Sequence, residues 1–151
     1  MGFNLENSAE INAVTLRKEF HGDDQEPAVT LKIVVDVEAG SLQQLVAEDD
    51  IAASLWSDEG RPRFLAVSDV RFSSKFEKHS LTLNDQNFNQ VKLSKFKAEL
   101  KDGARADLTF SASFEIEIDD AAFMLEYLRE KVEIQVTPPP ELDFEGDDND
   151  G

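Results

Sequence analysis

The feature that most restricts the fold of this chain is two-residue alternation. In "DLTFSASFEIEI" the residues Leu108, Phe110, Ala112, Phe114, Ile116 and Ile118 alternate with small or acidic ones, the pattern of a strand packed on one side only. "AVTLKIVVDVE" repeats it, with Val29, Leu31, Ile33, Val35 and Val37 on one face and Thr30, Lys32 and Asp36 opposite. "KVEIQV" does so again through Val132, Ile134 and Val136. "FLAVSDVRFSSKF" puts Phe64, Val70, Phe72 and Phe76 on one side and Asp69, Arg71, Ser73 and Lys75 on the other. In "VKLSKFKAELK" the apolar phase runs Val91, Leu93 and then slips to Phe96, Ala98, Leu100, which reads as a β-bulge near Ser94. "INAVTLRK" is a candidate first strand and "HSLTLN" a short one, followed by a polar "NDQNFNQ" loop. "KDGA" at 101–104 is a hairpin turn.

Two segments carry helical spacing. "SLQQLVAEDDIAASLW" offers Ser41 as an N-cap and Leu42, Leu45, Val46, Ala52, Leu55 and Trp56 at helical intervals, with Asp49 and Asp50 placed to split it. "DDAAFMLEYLREK" opens on acids and closes on Arg129 and Lys131, matching the helix dipole. The chain then leaves the fold at "TPPPELDFEGDDNDG", where three prolines remove backbone donors and the remainder is acidic and glycine-containing. The expectation is one α+β domain over residues 1–137, an antiparallel β-sheet or partly open β-barrel of about six to seven strands with two helices, and a disordered Pro-rich and acidic tail over 138–151.

Chemistry is narrowed by what the 151 residues lack. There is no cysteine, so thiolate metal sites, disulfides and cysteine nucleophiles are excluded together. The two histidines, His21 and His79, form no zinc spacing, and the paired aspartates 23–24, 49–50, 119–120 and 147–148 fit capping or solvated positions. Phosphate-binding glycine loops and serine-hydrolase elbows do not occur. These readings make the expected protein non-enzymatic, without cofactor or metal. "MGFNLENSAEI" has neither the n-region nor the h-region of a signal peptide, and no apolar run approaches the ~20 residues of a membrane span. The expected location is the cytoplasm.

Charge is the positive lead. The chain is acidic overall, with a formal charge of -17, but the acids are not spread evenly. Residues 1–60 hold three Lys/Arg against thirteen Asp/Glu, a net of -10; residues 61–101 hold nine against four, a net of +5. Residues 102–140 come to -6, and 141–151 hold six acids and no base. The central island would display Arg71, Lys75, Lys95, Lys97 and Lys101 on polar strand faces, with Lys78 and Lys92 nearby and Arg61 and Arg63 leading into it. Cations neutralise phosphates and aromatics stack on unpaired bases, the combination used by single-strand binders. Phe88, in the polar "NDQNFNQ", is the candidate stacking aromatic; Phe64, Phe72, Phe76 and Phe96 belong to the core by alternation. The competing reading is a plain solvated face, since lysines also guard strand edges.

A basic, sheet-based body followed by "ELDFEGDDNDG" resembles bacterial and phage single-stranded-DNA-binding proteins. In those families the acidic tail recruits partner proteins and competes with DNA for the basic groove. The resemblance implies such a role for Asp143, Phe144, Glu145, Asp147, Asp148 and Asp150. The stretches "LRKEFHGDDQEPAVTLKI", "VKLSKFKAEL" and "LREKVEIQV" also resemble uncharacterised small proteins of temperate phages, from recombination and replication gene clusters. That likeness implies a DNA-metabolism setting, in the host bacterial cytoplasm. The reading is therefore an accessory that binds single-stranded nucleic acid through Arg71, Lys75, Lys78, Phe88, Lys92, Lys95, Lys97 and Lys101, with the tail modulating binding or capturing a protein. The alternative is an acidic protein-binding inhibitor or DNA mimic, using the acids of 1–60 and 102–140. Homo-oligomerisation stays open at this point.

Overall fold

A computed structural model describes residues 2–22, 24–46, 50–64 and 69–140. Seven strands are present: β1 Leu5–His21, β2 Asp24–Glu38, β3 Asp69–Phe72, β4 Phe76–Leu83, β5 Gln86–Lys101, β6 Arg105–Glu115 and β7 Lys131–Thr137. They form one sheet in the order β3-β5-β4-β7-β1-β2-β6, with every pairing antiparallel. A further pairing of β5 with β6 brings the sheet round on itself into an open, barrel-like ring. β3 and β4 follow one another along the same edge of β5, β3 against Phe96–Glu99 and β4 against Gln86–Leu93. The ring stays open because β5 meets β6 only from Lys92↔Ser113 onward, so Gln86–Val91 has a strand on one side alone.

Alternation puts one apolar row per strand inside. Leu31, Ile33, Leu81, Leu83, Val91, Leu93, Leu108 and Phe110 are all fully buried. The centre is aromatic: Phe3 lies 5.2 Å from Phe96, 5.7 Å from Phe110 and 5.9 Å from Phe76 between ring centroids, and Phe96 stacks on Phe110 at 5.3 Å. Phe3 is held from behind by His79, whose Nε2 accepts from the Phe3 N–H at 3.0 Å while Nδ1 lies 2.9 Å from the Glu77 carbonyl. Both ring nitrogens of this buried histidine are thus satisfied by the backbone as the neutral, Nδ1-protonated tautomer. A Cβ on Gly2 would fall 2.3 Å from the Pro138 Cβ, so glycine lets the N-terminus close against the end of β7.

Bulges account for most departures from the sequence reading. β1 runs well beyond the expected 11–18, but a register shift between Ile11 and Ala13 moves its buried phase from Ala9 and Ile11 to the Val14 side, which masks the alternation. "NDQNFNQ" is a strand rather than a loop: only Asn84–Asp85 turns, and Phe88 stands in register with buried Leu81. The bulge expected near Ser94 is present between Ser94 and Lys97. β3 is four residues long, Phe64 is exposed instead of sharing its apolar face, and residues 65–68 of the expected strand lie outside the described residues. β6 ends at Glu115, which leaves Ile118 75% exposed in a 3-10 turn, Ile118–Asp120.

The helices are shorter than their spacing predicts. Ala39–Leu45 is a 3-10 helix with N-cap Glu38, not Ser41, because Ala39, Leu42 and Leu45 are buried at intervals of three, the period of that helix. Helix α1, Ile51–Leu55, is separate, and the Asp50 carboxylate accepts from the Ala53 N–H at 3.2 Å. Helix α2 covers only Ala121–Glu126. Arg129, past the Tyr127 C-cap, is in the left-handed region (φ 64°), and its N–H donates to the Ile11 carbonyl at 2.6 Å. Pairing with β1 therefore outcompetes another helical turn, and Arg129 and Lys131 lie past the helix end. Among the described residues no helix is long and apolar enough to cross a membrane.

Phe110 is fully buried, paired to Ile33 and stacked on Phe96. Phe110→Asp would bury an unpaired charge costing several kcal/mol, on the order of a whole domain's stability of ~5–15 kcal/mol. The variant is expected to lose its near-UV circular dichroism and cooperative thermal transition. An unchanged melting temperature would contradict the assignment of this strand face.

Candidate nucleic-acid interface

The outer face of the sheet is built from the polar phase of each strand, and the register sorts its charges into rows. Arg71 of β3 stands directly opposite Lys97 of β5, which stands opposite Thr109 of β6. Like charges directly across a strand pair repel. Along β5 the cations continue through Lys95 to Lys92, a run of about 15 Å at the rise of a strand. Lys75, between β3 and β4, and Lys78, on β4, lie along the same edge of β5. Arg71, Lys75, Lys78, Lys92 and Lys95 are exposed and Lys97 is half-buried. Among the described residues none of the six has a carboxylate within ion-pair distance; the pairs there fall on Lys101 and Arg105.

Lys101 does not join this set. One row beyond Arg71–Lys97 lie four acids, Asp69↔Glu99↔Asp107↔Asp36, running across β3, β5, β6 and β2. The Lys101 Nζ sits 3.0 Å from Asp107 and 3.6 Å from Asp36, and Arg105 Nε lies 3.0 Å from Asp36. The hydrogen bond to Asp107 raises the Lys101 pKa, opposed by desolvation and aided by the charges of Asp107 and Asp36. A lysine with a raised folded pKa keeps its pair throughout the neutral range and loses it only as pH climbs past the usual lysine value. Lys101 thus neutralises the Asp36–Asp107 half of the acid row and borders the cationic face instead of extending it.

Phe88 is also removed from the interface. It is 9% exposed, with its ring 4.6 Å from Phe114 in the core. The spacing Phe88–Val91 hid its strand position, because a bulge at Asn89–Gln90, with Gln90 at φ 58°, adds one residue between two inward positions. Phe72 and Phe76 are partly buried against the core and Phe96 is within it, as alternation predicts. Phe72, Phe76, Phe88 and Phe96 are therefore committed to the core side rather than to the cationic face.

Residues that sequence reasoning did not assign complete the face. Thr109, Ser111 and Ser113 form a hydroxyl track along β6 beside the lysines, and Lys32 of β2 stands opposite Ser111. At the far end the Thr30 and Ser113 hydroxyls are 2.9 Å apart, and Arg17 donates to Thr30. The signal was the polar phase of "DLTFSASF" and of "TLK"; what it lacked was the strand order that sets β6 and β2 next to β5. Beyond Lys92, where β5 and β6 diverge, a cleft of about 870 Å³ opens, with Glu26, Glu115, Glu117 and Asp120 against Arg17 and Lys92. Its acidic balance ends the cationic face on that side. Asp143, Phe144, Glu145, Asp147, Asp148 and Asp150 lie outside the described residues. Among the described residues no cluster of three His, Asp or Glu could hold a metal ion.

Two of the six cations occupy strained backbone. Lys78 (φ 60°) and Lys95 (φ 59°) both sit at register shifts, where a bulge re-aims the side chain. A left-handed residue with a Cβ costs roughly 1–2 kcal/mol, less for asparagine. Lys95→Asn is expected to raise stability by about 0.5–1 kcal/mol in urea melts. A loss of stability would show that the bulge is not strained by lysine. The chain matches no protein-family model, no curated protein and no solved structure.

Proposed function

We propose that this protein is a non-enzymatic nucleic-acid-binding accessory that holds single-stranded DNA by its phosphates across the Arg71–Lys97 face. The observation that carries the reading is the cross-strand pair Arg71↔Lys97, continued by Lys95 and Lys92 and lacking carboxylate partners among the described residues, in a chain of net charge -17. With carboxylates so abundant, neutralising these cations internally would need few changes; the neighbouring Lys101 shows how it is done. Unneutralised cations beside a hydroxyl track suit a row of phosphate oxygens.

A single strand fits better than a duplex. The face is a curved sheet exterior about 15 Å long at strand rise, and none of its six cations stands on a helix that could enter a major groove. A flexible strand can follow the curvature. Because Phe88 and Phe96 are buried and Phe72 and Phe76 pack partly against the core, binding rests on charge and is insensitive to base identity. The DNA-metabolism setting is that of the temperate-phage proteins the sequence resembles. The mimic alternative loses ground here, since Lys101 and Arg105 neutralise Asp36 and Asp107 of the best-aligned acid row.

The tail enters as a competitor. β7 ends with Thr137 opposite Ser80, so the chain continuing past Pro138 starts two residues from Lys78. Six carboxylates tethered there raise the local anion concentration at the cationic face.

Labelled oligothymidylate titrated with the full chain tests the reading. If four to six of these cations meet phosphates, the log-log salt slope is roughly -3 to -4. Charge reversal of Lys95 and Lys97 should weaken binding far more than Lys101→Glu, because Lys101 is already paired to Asp36 and Asp107. A slope near zero, or equal loss at Lys101, contradicts the assignment. Ending the chain after Pro140 is expected to tighten binding, most at low salt. Unchanged affinity at every salt concentration would show that the tail does not compete.

A further inference from the structure

Six large apolar side chains are substantially exposed among the described residues, and four of them, Ile118, Phe123, Leu125 and Leu128, fall within eleven residues around α2. The helix itself is apolar in five of its six positions, yet only Met124 is buried. A helix apolar on all sides is ordinarily covered on all sides. Its inner side rests on β1 and β2. Exposed on the helix are Ala122, Phe123 and Leu125, with Ile118 in the 3-10 turn before it and Leu128 just past its end, so one apolar patch runs from Ile118 to Leu128. Ile118 is 75% exposed and Leu125 51%.

The rim of the patch is acidic. Residues 117–130 hold Glu117, Asp119, Asp120, Glu126 and Glu130 against Arg129 alone. The field is strong enough to register on Tyr127, whose phenol pKa is pushed up by burial and then by the charges of Glu126, Asp120 and Asp85. This charge decides between occupants. A second copy related by a two-fold axis would set the acidic rim against itself, and like-charge juxtaposition disfavours that pairing. The chain's own segment 141–151, with six acids and no base, is repelled in the same way. What complements an apolar patch with a carboxylate rim is an apolar face with a basic rim.

We propose that the Ile118–Leu128 surface is a protein-docking site for an amphipathic, lysine- or arginine-rimmed helix of another protein. An apolar patch bounded by carboxylates takes an apolar face bounded by cations, which a basic amphipathic helix presents, and the rim sets partner and orientation. The site is separate from the Arg71–Lys97 face and stands whether or not that face binds nucleic acid.

The test uses the full chain and a fluorescently labelled helical peptide of leucine and lysine, with the leucines on one face. A permuted peptide of identical composition controls for plain charge attraction to an acidic protein. Anisotropy titrations near physiological salt are expected to show the amphipathic peptide binding at least about tenfold more tightly than the permuted one. The double variant Ile118→Ser and Leu125→Ser removes only exposed side chains, and near-UV circular dichroism checks its fold. It is expected to abolish the preference and leave the weak charge attraction. Equal binding of the two peptides overturns the proposal, as does a preference that survives the double variant. Sedimentation equilibrium supplies the remaining arm: a wild-type dimer that this variant dissociates would assign the patch to self-association instead.

Discussion

The pairing of β5 with β6 is the contact on which the rest of this structure depends. Without it the seven strands make an open sheet; with it the sheet turns back on itself and the aromatic cluster of Phe3, Phe76, Phe96 and Phe110 is enclosed. Enclosure has a consequence for charge. Once one phase of every strand is committed to the core, the other phase is committed to solvent, and the register alone decides which side chains become neighbours. Arg71 faces Lys97 and Asp69 faces Glu99 because β3 and β5 are in that register and no other. A one-residue slip would carry the apolar row outward, so the packing energy of the core holds like charges together.

That arrangement gives the outer surface alternating bands. At its β6–β2 end the acid row is crossed by Lys101 and Arg105, which pair Asp107 and Asp36 within the protein. The cationic row next to it is left without such partners among the described residues, and two of its members occupy left-handed backbone at bulges. Strain and unneutralised repulsion together are features a fold keeps where something outside relieves them. In the proposed function a polyanion would relieve both the Arg71–Lys97 repulsion and the charge on the re-aimed lysines.

Much of this was legible in the sequence, and the illegible part has definite causes. β2, β6 and β7 follow unbroken alternation and their buried residues are those expected, from Val29 through Val37 and from Val132 through Val136. The bulge at Ser94–Lys97 was readable because apolar residues flank it on both sides. The bulges at Asn12 and at Asn89–Gln90 were not, since each interrupts a strand where polar residues already dilute the pattern. That is why Phe88 looked like a loop aromatic. Phe3 gave no periodic signal, as its burial depends on a histidine 76 residues away. For the interface, sequence supplied the cations, but separating Lys101 from Lys97 required knowing that Asp36 and Asp107 fall beside it. Lys32 and the β6 hydroxyls likewise belong to the face only through strand order.

The proposed function seats a polyanion on the Arg71–Lys97 face. Amide chemical-shift mapping during titration with oligothymidylate tests it most directly. The account predicts perturbations concentrated at residues 71–78, 92–97 and 109–113, with Lys101 and the α2 segment little affected. Perturbations centred on residues 118–128, or none at saturating oligonucleotide and low salt, would contradict it.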